Sequence, residues 1–264
     1  IFYGFYLFAF YIVFIRYKPF CKTVSIFTIC LSIYLLMPLE NAFTTQVSFI
    51  NVGQGDCCVI RNGFSTIMID TGGLTYIDLA TNNLIPYLKK QKIYNIDCVI
   101  TTHDDYDHTG ALESLKQHFS VKKHIKESGD FPYTINGLTF TNYNSHIGFS
   151  NDENTNSLVI GFKLSGKNYL ITGDAPSEIE KFIIKEYDHI DCDILKVGHH
   201  GSKTSTCKEF ISFLNPKVAI ISVGANNTYG HPNQEVIETL SHYNVKIRRT
   251  DLEGTITYKS LVFV

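Results

Sequence analysis

The sequence predicts an α/β protein in which two β-sheets pack face to face with helices on their outer sides, preceded by two hydrophobic segments. Three observations lead to this prediction. Short apolar runs of strand length alternate with stretches of helical periodicity. These elements fall into two similar halves, each a strand meander followed by helices, which is typical of layered sheets. No repeat, low-complexity tract or linker interrupts residues 46–264, so we expect them to form a single domain.

The first 42 residues are predicted to form two transmembrane helices. Neither Ile1–Ile15 nor Thr23–Leu39 contains a charged residue, and apolar runs of about this length cross a bilayer. A signal peptide or buried core helices are the alternatives, but the charged start and the small-residue cleavage site of a signal peptide are missing. Because the chain does not begin with Met, we expect residues 1–42 to be the last spans of a larger membrane protein.

The loop between these two segments predicts their orientation. It contains Arg16, Lys18 and Lys22 and no acidic residue. Short loops rich in Lys and Arg remain in the cytoplasm. We therefore expect a multi-pass protein of the cell membrane whose soluble domain lies outside the cytoplasm.

Charge and cysteine content exclude two classes of protein. The chain has 23 Lys and Arg residues against 25 Asp and Glu, and no basic run. Tight, sequence-independent binding of nucleic acid through charge alone is therefore excluded. The seven cysteines include no CxxC pair and lie mostly in apolar runs, so we expect buried thiols and no disulfide framework.

The apolar pattern places the individual elements of the domain. The turns "GQGD" and "RNGF" join the first three strands. The predicted strands are "QVSFINV", "CCVI", "STIMID" and "DCVITT", then the hairpin "SLVIGFKLSGKNYLITGD", "CDILKV" and "KVAIISV". The predicted helices are Leu79–Lys90, "ALESLKQHF", "SEIEKFIIKEY", "CKEFISFL" and "NQEVIETLSHY".

Side chains that bind metals follow four of these strands. The strand ends are followed by His103, Asp105, Asp107 and His108 in "HDDYDH", by Asp174 in "TGD", by His199 and His200 in "HHGS", and by His231 in "GHP". Loops at one edge of a sheet converge into a site. Because alternate residues of an extended segment point the same way, His103, Asp105 and Asp107 can share one centre while the adjacent His108 faces another.

These motifs, in this order, resemble the metallo-β-lactamase superfamily in its HxDxDH branch. More narrowly, "VGQGD", "IDTGG", "LITGD", "DILKVGHHGSKTS", "AIISVGANNTYGHP" and "RRTDLEGTI" resemble the C-terminal domain of ComEC-type competence proteins, which are membrane channels for DNA uptake. The resemblance covers Gln46 to Thr257. It implies an αββα sandwich, and it makes residues 1–42 the C-terminal membrane spans of a larger channel.

The resemblance also implies a role for each residue. His103 and Asp105 would bind one divalent metal, Zn²⁺ or Mn²⁺, and Asp107 and His108 a second. Asp174 would bridge the two ions, His231 would be the last ligand of the second, and one of His199 and His200 a further ligand. We favour His199 as the ligand, with His200 and Asp107 as the catalytic residues.

Two supporting carboxylates complete the set of candidates, and one motif departs from the superfamily pattern. Asp70 would either orient a metal-binding histidine or cap the turn before Gly72, and Asp56 is interpreted as a turn residue. The usual third-motif histidine is absent, and "ENTNSLVI" stands in that region with Asn154, Asn156 and Ser157.

Three functions fit this ligand set. The first is a metal-dependent phosphodiesterase or nuclease that hydrolyses one strand of incoming DNA with a metal-activated water. The second is another metallo-hydrolase on the same scaffold, a phosphorylcholine esterase or a lactonase. The third is a non-catalytic gating domain. DNA, the membrane and other proteins of the competence machinery are the expected partners.

Overall fold

The computed structural model describes residues 11, 24, 26–32, 39–144 and 152–261. The chain divides into two compact units, Ile1–Ala42 and Phe43–Val264. The predicted spans Ile1–Ile15 and Thr23–Leu39 lie largely outside the described residues. Within the described part of the chain, no helix combines the length and apolarity that crossing a bilayer requires.

The second unit contains two large sheets and a short two-stranded sheet. Its strands are β1 Thr44–Phe49, β2 Cys58–Asn62, β3 Ser65–Ile69, β4 Asn95–Ile96, β5 Cys98–Ile100, β6 Ser120–Val121, β7 His124–Ile125, β8 Tyr133–Ile135, β9 Leu138–Asn142, β10 Ile160–Leu164, β11 Lys167–Ile171, β12 Ile194–Lys196, β13 Val218–Ile221, β14 Lys246–Arg249 and β15 Ile256–Leu261.

The helices follow the same chain order. They are α1 Leu39–Ala42 in the first unit and, in the second, α2 Ile85–Lys90, α3 Tyr106–Thr109, α4 Leu112–His118, α5 Ser177–Glu186, α6 Lys208–Leu214, α7 Gln234–His242 and α8 Thr250–Glu253. A π-helical turn, Ala80–Leu84, leads into α2, and short 3₁₀ turns span Ser128–Asp130 and Gly198–Gly201.

Each large sheet is antiparallel at one side and parallel at the other. The first has the strand order β15-β1-β2-β3-β5-β7: β1, β2, β3 and β15 pair antiparallel, and β3, β5 and β7 pair parallel. The second has the order β14-β13-β12-β11-β10-β9-β8, parallel from β11 to β14. The predicted strands and helices are confirmed, whereas β4, β6, β7, β8, β9, β14 and β15 were not predicted.

The core has three layers because both faces of each sheet are buried. In β3, Ile67 and Ile69 point into the cluster between the sheets, while Met68 points outward to helices α2 and α4. In β12, Ile194 faces the inner cluster and Leu195 faces α5, α6 and α7. Strands buried on both faces are apolar without alternation, which is why they are short continuous runs in the sequence. The predicted αββα sandwich is confirmed.

Candidate metal centre

The histidine-rich motif forms a loop between β5 and α4, Thr101–Ala111, which we call the first ligand loop. It packs backbone to backbone against the "IDTGG" loop. Thr71 N donates to His108 O at 2.8 Å, and a Cβ added to Gly73 would lie 2.9 Å from Gly110 Cα. The lack of a side chain at both glycines therefore allows the close approach that fixes the position of this loop.

The hydrogen bonds around this loop fix the tautomers of its two histidines. His108 Nδ1 lies 2.9 Å from Asp70 Oδ2, so Nδ1 carries the proton. The Thr102 hydroxyl donates to the same carboxylate at 2.8 Å, so it must accept from His103 Nδ1, 3.1 Å away. In the neutral form of each ring, the lone pair is therefore on Nε2. Asp70 orients His108, one of the two roles considered for it.

The "HHGS" motif holds its two histidines in the same way. His200 Nδ1 donates to Ser222 O at 3.0 Å. Thr204 Oγ1 donates to Ser202 Oγ and so accepts from His199 Nδ1 at 3.1 Å. Both residues have positive φ, 49° at His199 and 52° at His200. This backbone conformation is uncommon for residues with a Cβ and is concentrated at functional sites.

Each of these four rings directs Nε2 at a carboxylate. The distances are 3.5 Å from His103 to Asp105 Oδ2, 3.1 Å from His108 to Asp174 Oδ1, 3.7 Å from His199 to Asp174 Oδ2 and 3.0 Å from His200 to Asp107 Oδ2. A lone pair facing a carboxylate is repulsive unless a proton or a metal cation lies between them. Two ligands of one tetrahedral zinc ion, each about 2.0–2.1 Å from the metal, stand roughly 3.3 Å apart. The observed separations fit that value.

Unpaired buried atoms also point to a cation. His103 Nε2, His108 Nε2 and Asp174 Oδ1 are buried and form no hydrogen bond with the described part of the chain. The 3.1 Å approach of His108 to Asp174 is not aligned as a hydrogen bond. Buried polar atoms are almost always satisfied, so these three orphaned atoms fit metal ligands.

Asp174 is the centre of the cluster, because one oxygen faces His108 and the other faces His199 and His200. Ligand atoms of Asp107, His108, Asp174 and His200 all lie within 4.8 Å of one another. His199 was the expected ligand of the "HHGS" pair and His200 the catalytic group. The distances favour the reverse, since His200 is buried within the tight group and His199 is partly exposed at its edge.

The charges of the cluster are strongly coupled. Burial lowers the pKa of His200, but Asp174 and Asp56 more than compensate and raise it to about 9. Burial favours a protonated Asp174, yet His108 and His200 hold the pKa of this carboxyl well below its usual value. The carboxylates thus retain positive charge on the neighbouring rings, and a divalent cation can supply that charge in place of protons.

A buried ion pair lies behind the histidines. Lys196 Nζ contacts Asp56 Oδ2, with side chains 2% and 5% exposed. Asp56 Oδ1 is 3.4 Å from His200 Nδ1. Asp56 is therefore more than the turn residue the sequence suggested: it neutralises the one buried lysine among the described residues and places that neutralised pair beside the metal-binding side chains.

Most of the predicted ligands line one cleft of about 420 Å³, whereas His103 and His108 are not among its lining residues. Asp105, Asp107, Asp174, His199, His200 and His231 all contribute to its wall. His231 stands at the rim: its ring stacks on Tyr229 at 5.9 Å and 15° and meets the ring of His199 at 5.9 Å. The structure does not bring His231 into the tight group of four ligands.

The segment that lacks the third-motif histidine packs beside the first ligand loop. Leu158 N donates to Thr102 O at 2.8 Å, and Ser157 Oγ accepts from Asp174 N at 3.2 Å. Asn154 Oδ1 is buried without a hydrogen-bond partner among the described residues. Ser157 thus supports the position of Asp174 in place of supplying a ligand.

The sequence did not identify Lys196 as part of the site, and it indicated only a turn role for Asp56. One signal was present, because Lys196 interrupts the apolar run "ILKV". A lysine in a strand buried on both faces needs a partner. The identity of that partner follows only from the fold, because Asp56 comes from the opposite half of the chain.

The fold and this cluster define the class of protein. Residues 50–146 match the model of the metallo-beta-lactamase superfamily. Among solved structures, the metallo-beta-lactamase fold protein YhfI from Bacillus subtilis superposes with a TM-score of 0.56 at 11% identity, covering 83% of this chain and 100% of that one. The second unit is a metallo-β-lactamase superfamily domain.

Within that superfamily the chain resembles ComEC-type competence proteins. It is 32% identical to ComE operon protein 3 of Bacillus subtilis over 88% of its length, and 31% identical to Recombination protein 2 of Haemophilus influenzae, also over 88%. These alignments cover 35% and 31% of the relatives. The chain therefore spans about a third of the length of the curated relatives it matches.

Proposed function

We propose that the domain is a metal-dependent phosphodiesterase that hydrolyses DNA, as the nuclease domain of a ComEC-type DNA-uptake protein. One observation carries the proposal: His103, His108 and His200 have Nδ1 bonded to protein acceptors, while their Nε2 atoms face Asp105, Asp174 and Asp107 at 3.0–3.5 Å. Tying back Nδ1 is how proteins orient metal-binding histidines.

The side chains divide into two proposed ligand groups. His103 and Asp105 would hold one divalent ion, and Asp107, His108 and His200 the other, with Asp174 between them. Two such ions, Zn²⁺ or Mn²⁺, would supply a water of lowered pKa and positive charge for the oxygens of a phosphoryl group. A set with three carboxylates accepts Mn²⁺ as well as Zn²⁺.

The remaining residues would orient these ligands and move the proton. Asp70 and Thr102 hold His108 and His103 in the Nε2-binding tautomer. His199 has a side chain 28% exposed to the cleft, so we assign its Nε2 the transfer of a proton to the leaving oxygen. His231 is the proposed rim ligand, and its closer approach would require movement of the "GHP" loop.

A metal-by-substrate panel on the full chain tests this function. Single- and double-stranded DNA, a phosphorylcholine ester and a lactone are each incubated with Mn²⁺, Zn²⁺ or chelator. We expect chelator-sensitive hydrolysis of DNA, reduced by several orders of magnitude in Asp107→Ala. Asp104→Ala is the matched control, because Asp104 lies in the same loop but its exposed carboxylate pairs with Lys126.

Other outcomes would select the other two functions. Hydrolysis of the small esters with DNA left intact would indicate a different metallo-hydrolase. Bound metal without turnover of any substrate would indicate a gating domain. Lys203→Ala should weaken DNA binding without emptying the metal site, since Lys203 is exposed and is not among the residues that line the cleft.

We also propose that the domain lies outside the cytoplasm of a membrane protein, with DNA and other competence proteins as partners. The basic residues Arg16, Lys18 and Lys22 between the hydrophobic segments support this orientation. Protease added to intact cells should cleave the domain. Protection until the membrane is permeabilised would reverse the orientation.

A further inference from the structure

The metal cleft adjoins a second cavity. The first has a volume of about 420 Å³ and the second about 400 Å³, and the two share Leu74, Thr75, Tyr76 and Tyr106 as common wall. Asp105 and Asp107 line only the first cavity, whereas Ser114 and Asp78 line only the second. A molecule held at the metal ligands can therefore extend past Tyr76 and Tyr106. This shape suits a chain better than a compact ester.

Three tyrosines with large exposed areas stand around this groove. Tyr76 is 77% exposed, Tyr106 52% and Tyr229 70%, and all three line the metal cleft. Tyr229 already lies parallel to the imidazole of His231, with ring centroids 5.9 Å apart. These exposed rings present apolar surface to water, and a flat aromatic ligand can cover that surface by stacking on it.

The charges of the groove do not attract a polyanion. The described residues that line the two cavities include no Lys or Arg, while Asp78, Asp105, Asp107 and Asp174 contribute carboxylates. Beyond the metal-bound phosphate, attraction must come from another source. Stacking of bases on aromatic rings supplies such attraction without regard to sequence.

We propose that Tyr76, Tyr106 and Tyr229 form a stacking rim that binds the unpaired bases of single-stranded nucleic acid across the metal cleft. Bases paired and stacked within a duplex cannot reach these rings, so the rim selects single strands. The proposal rests on the proposed function, because it names the form of the nucleic acid which that site would receive.

The test determines whether the bases or the phosphates of a single strand provide the binding energy, by using two strands of equal charge. Binding of a fluorescent oligothymidylate and of an abasic strand with the same number of phosphates is measured by anisotropy, with chelator present to prevent cleavage. The full chain is compared with Tyr76→Ala, Tyr229→Ala and the double variant. Tyr94→Ala is the matched control, because Tyr94 is 60% exposed and does not line either cavity.

We expect the wild type to bind the thymidylate more tightly than the abasic strand, and each rim substitution to weaken thymidylate binding about tenfold. The abasic strand and the Tyr94→Ala variant should show no such change. Salt should weaken binding with a shallow slope, since few counterions are released. Metal content, measured by elemental analysis, should be the same in all variants.

Equal affinity for the two strands, or equal losses at Tyr94 and at the rim, would overturn the proposal. A steep salt slope without any effect of the tyrosines would assign binding to charge instead. Failure of the proposed function gives a different result: thymidylate binding sensitive to the rim, but no cleavage when Mn²⁺ or Zn²⁺ is supplied.

Discussion

Removing both members of the buried Lys196–Asp56 pair should destabilise the domain by less than the sum of the two single removals. The two side chains are 2% and 5% exposed, so a lone partner would be a buried charge without access to water. In Asp56→Asn, the ammonium of Lys196 loses its ion pair and keeps a 3.4 Å hydrogen bond to Gly173 O, with the charge of Asp174 nearby. Breaking a buried pair on one side costs about 3–5 kcal/mol.

The two single variants should differ in a predictable direction. In Lys196→Met, Asp56 retains His200 Nδ1 at 3.4 Å and His108 Nδ1 at 3.9 Å, so we expect a loss near 3 kcal/mol, the lower end of that range. In Asp56→Asn the loss should be at the upper end. The double variant should lose less than the sum, with a coupling energy of about 2–3 kcal/mol.

Urea unfolding followed by circular dichroism, with chelator present, measures all four proteins. The dependence of the free energy of unfolding on urea should be the same in each, so that the midpoint reports stability. Single-variant losses that simply add in the double variant would refute the reasoning, because they would show that the two charges act independently. So would a loss below about 1 kcal/mol in Asp56→Asn, the size expected of a solvent-exposed pair.

Three further predictions concern other parts of the domain. The double variant Asp107→Ala, Asp174→Ala should lose bound metal in elemental analysis, and an unchanged metal content would contradict the metal centre. Burial, opposed by two amide hydrogen bonds, raises the pKa of Glu180 to about 7 from 4.5. Between these pH values the folded state holds a proton that the unfolded chain releases. The free energy of unfolding should therefore fall by about 3 kcal/mol from pH 4.5 to 7 in the wild type but not in Glu180→Gln. Gly73→Ala should destabilise by about 1–3 kcal/mol in thermal unfolding, because its Cβ would collide with the first ligand loop, whereas Gly129→Ala, with open space around it, should be neutral.

Local patterns predicted the fold because both faces of the sheets are buried. Strands such as β3 and β12 are continuous apolar runs bounded by turns, and their existence does not depend on their partners. The last strand, β15, was missed for the opposite reason. Its residues alternate between buried and exposed, and it pairs with β1, about two hundred residues earlier, so nothing near it in the sequence indicates its place.

The location of the candidate site could also be predicted from local sequence, but the roles of its individual residues could not. Ligand-type residues at strand ends were sufficient to identify the cleft, because parallel strands carry their loops to one edge. The choice between His199 and His200 depended on which ring reaches Ser222 O and Asp107. That is set by two consecutive left-handed residues, and although histidine adopts this conformation more often than most residues do, the sequence does not specify where it will do so.

The division of the ligands between the two sheets has a consequence for chain synthesis. His103, Asp105, Asp107 and His108 follow the first sheet, and Asp174, His199, His200 and His231 follow strands of the second. A nascent chain released only as far as β9 carries half of the cluster and lacks Asp174, the carboxylate that faces both His108 and the "HHGS" pair. A complete ligand set would therefore appear late, after the second sheet has docked, and a truncated or half-folded chain would carry an incomplete site.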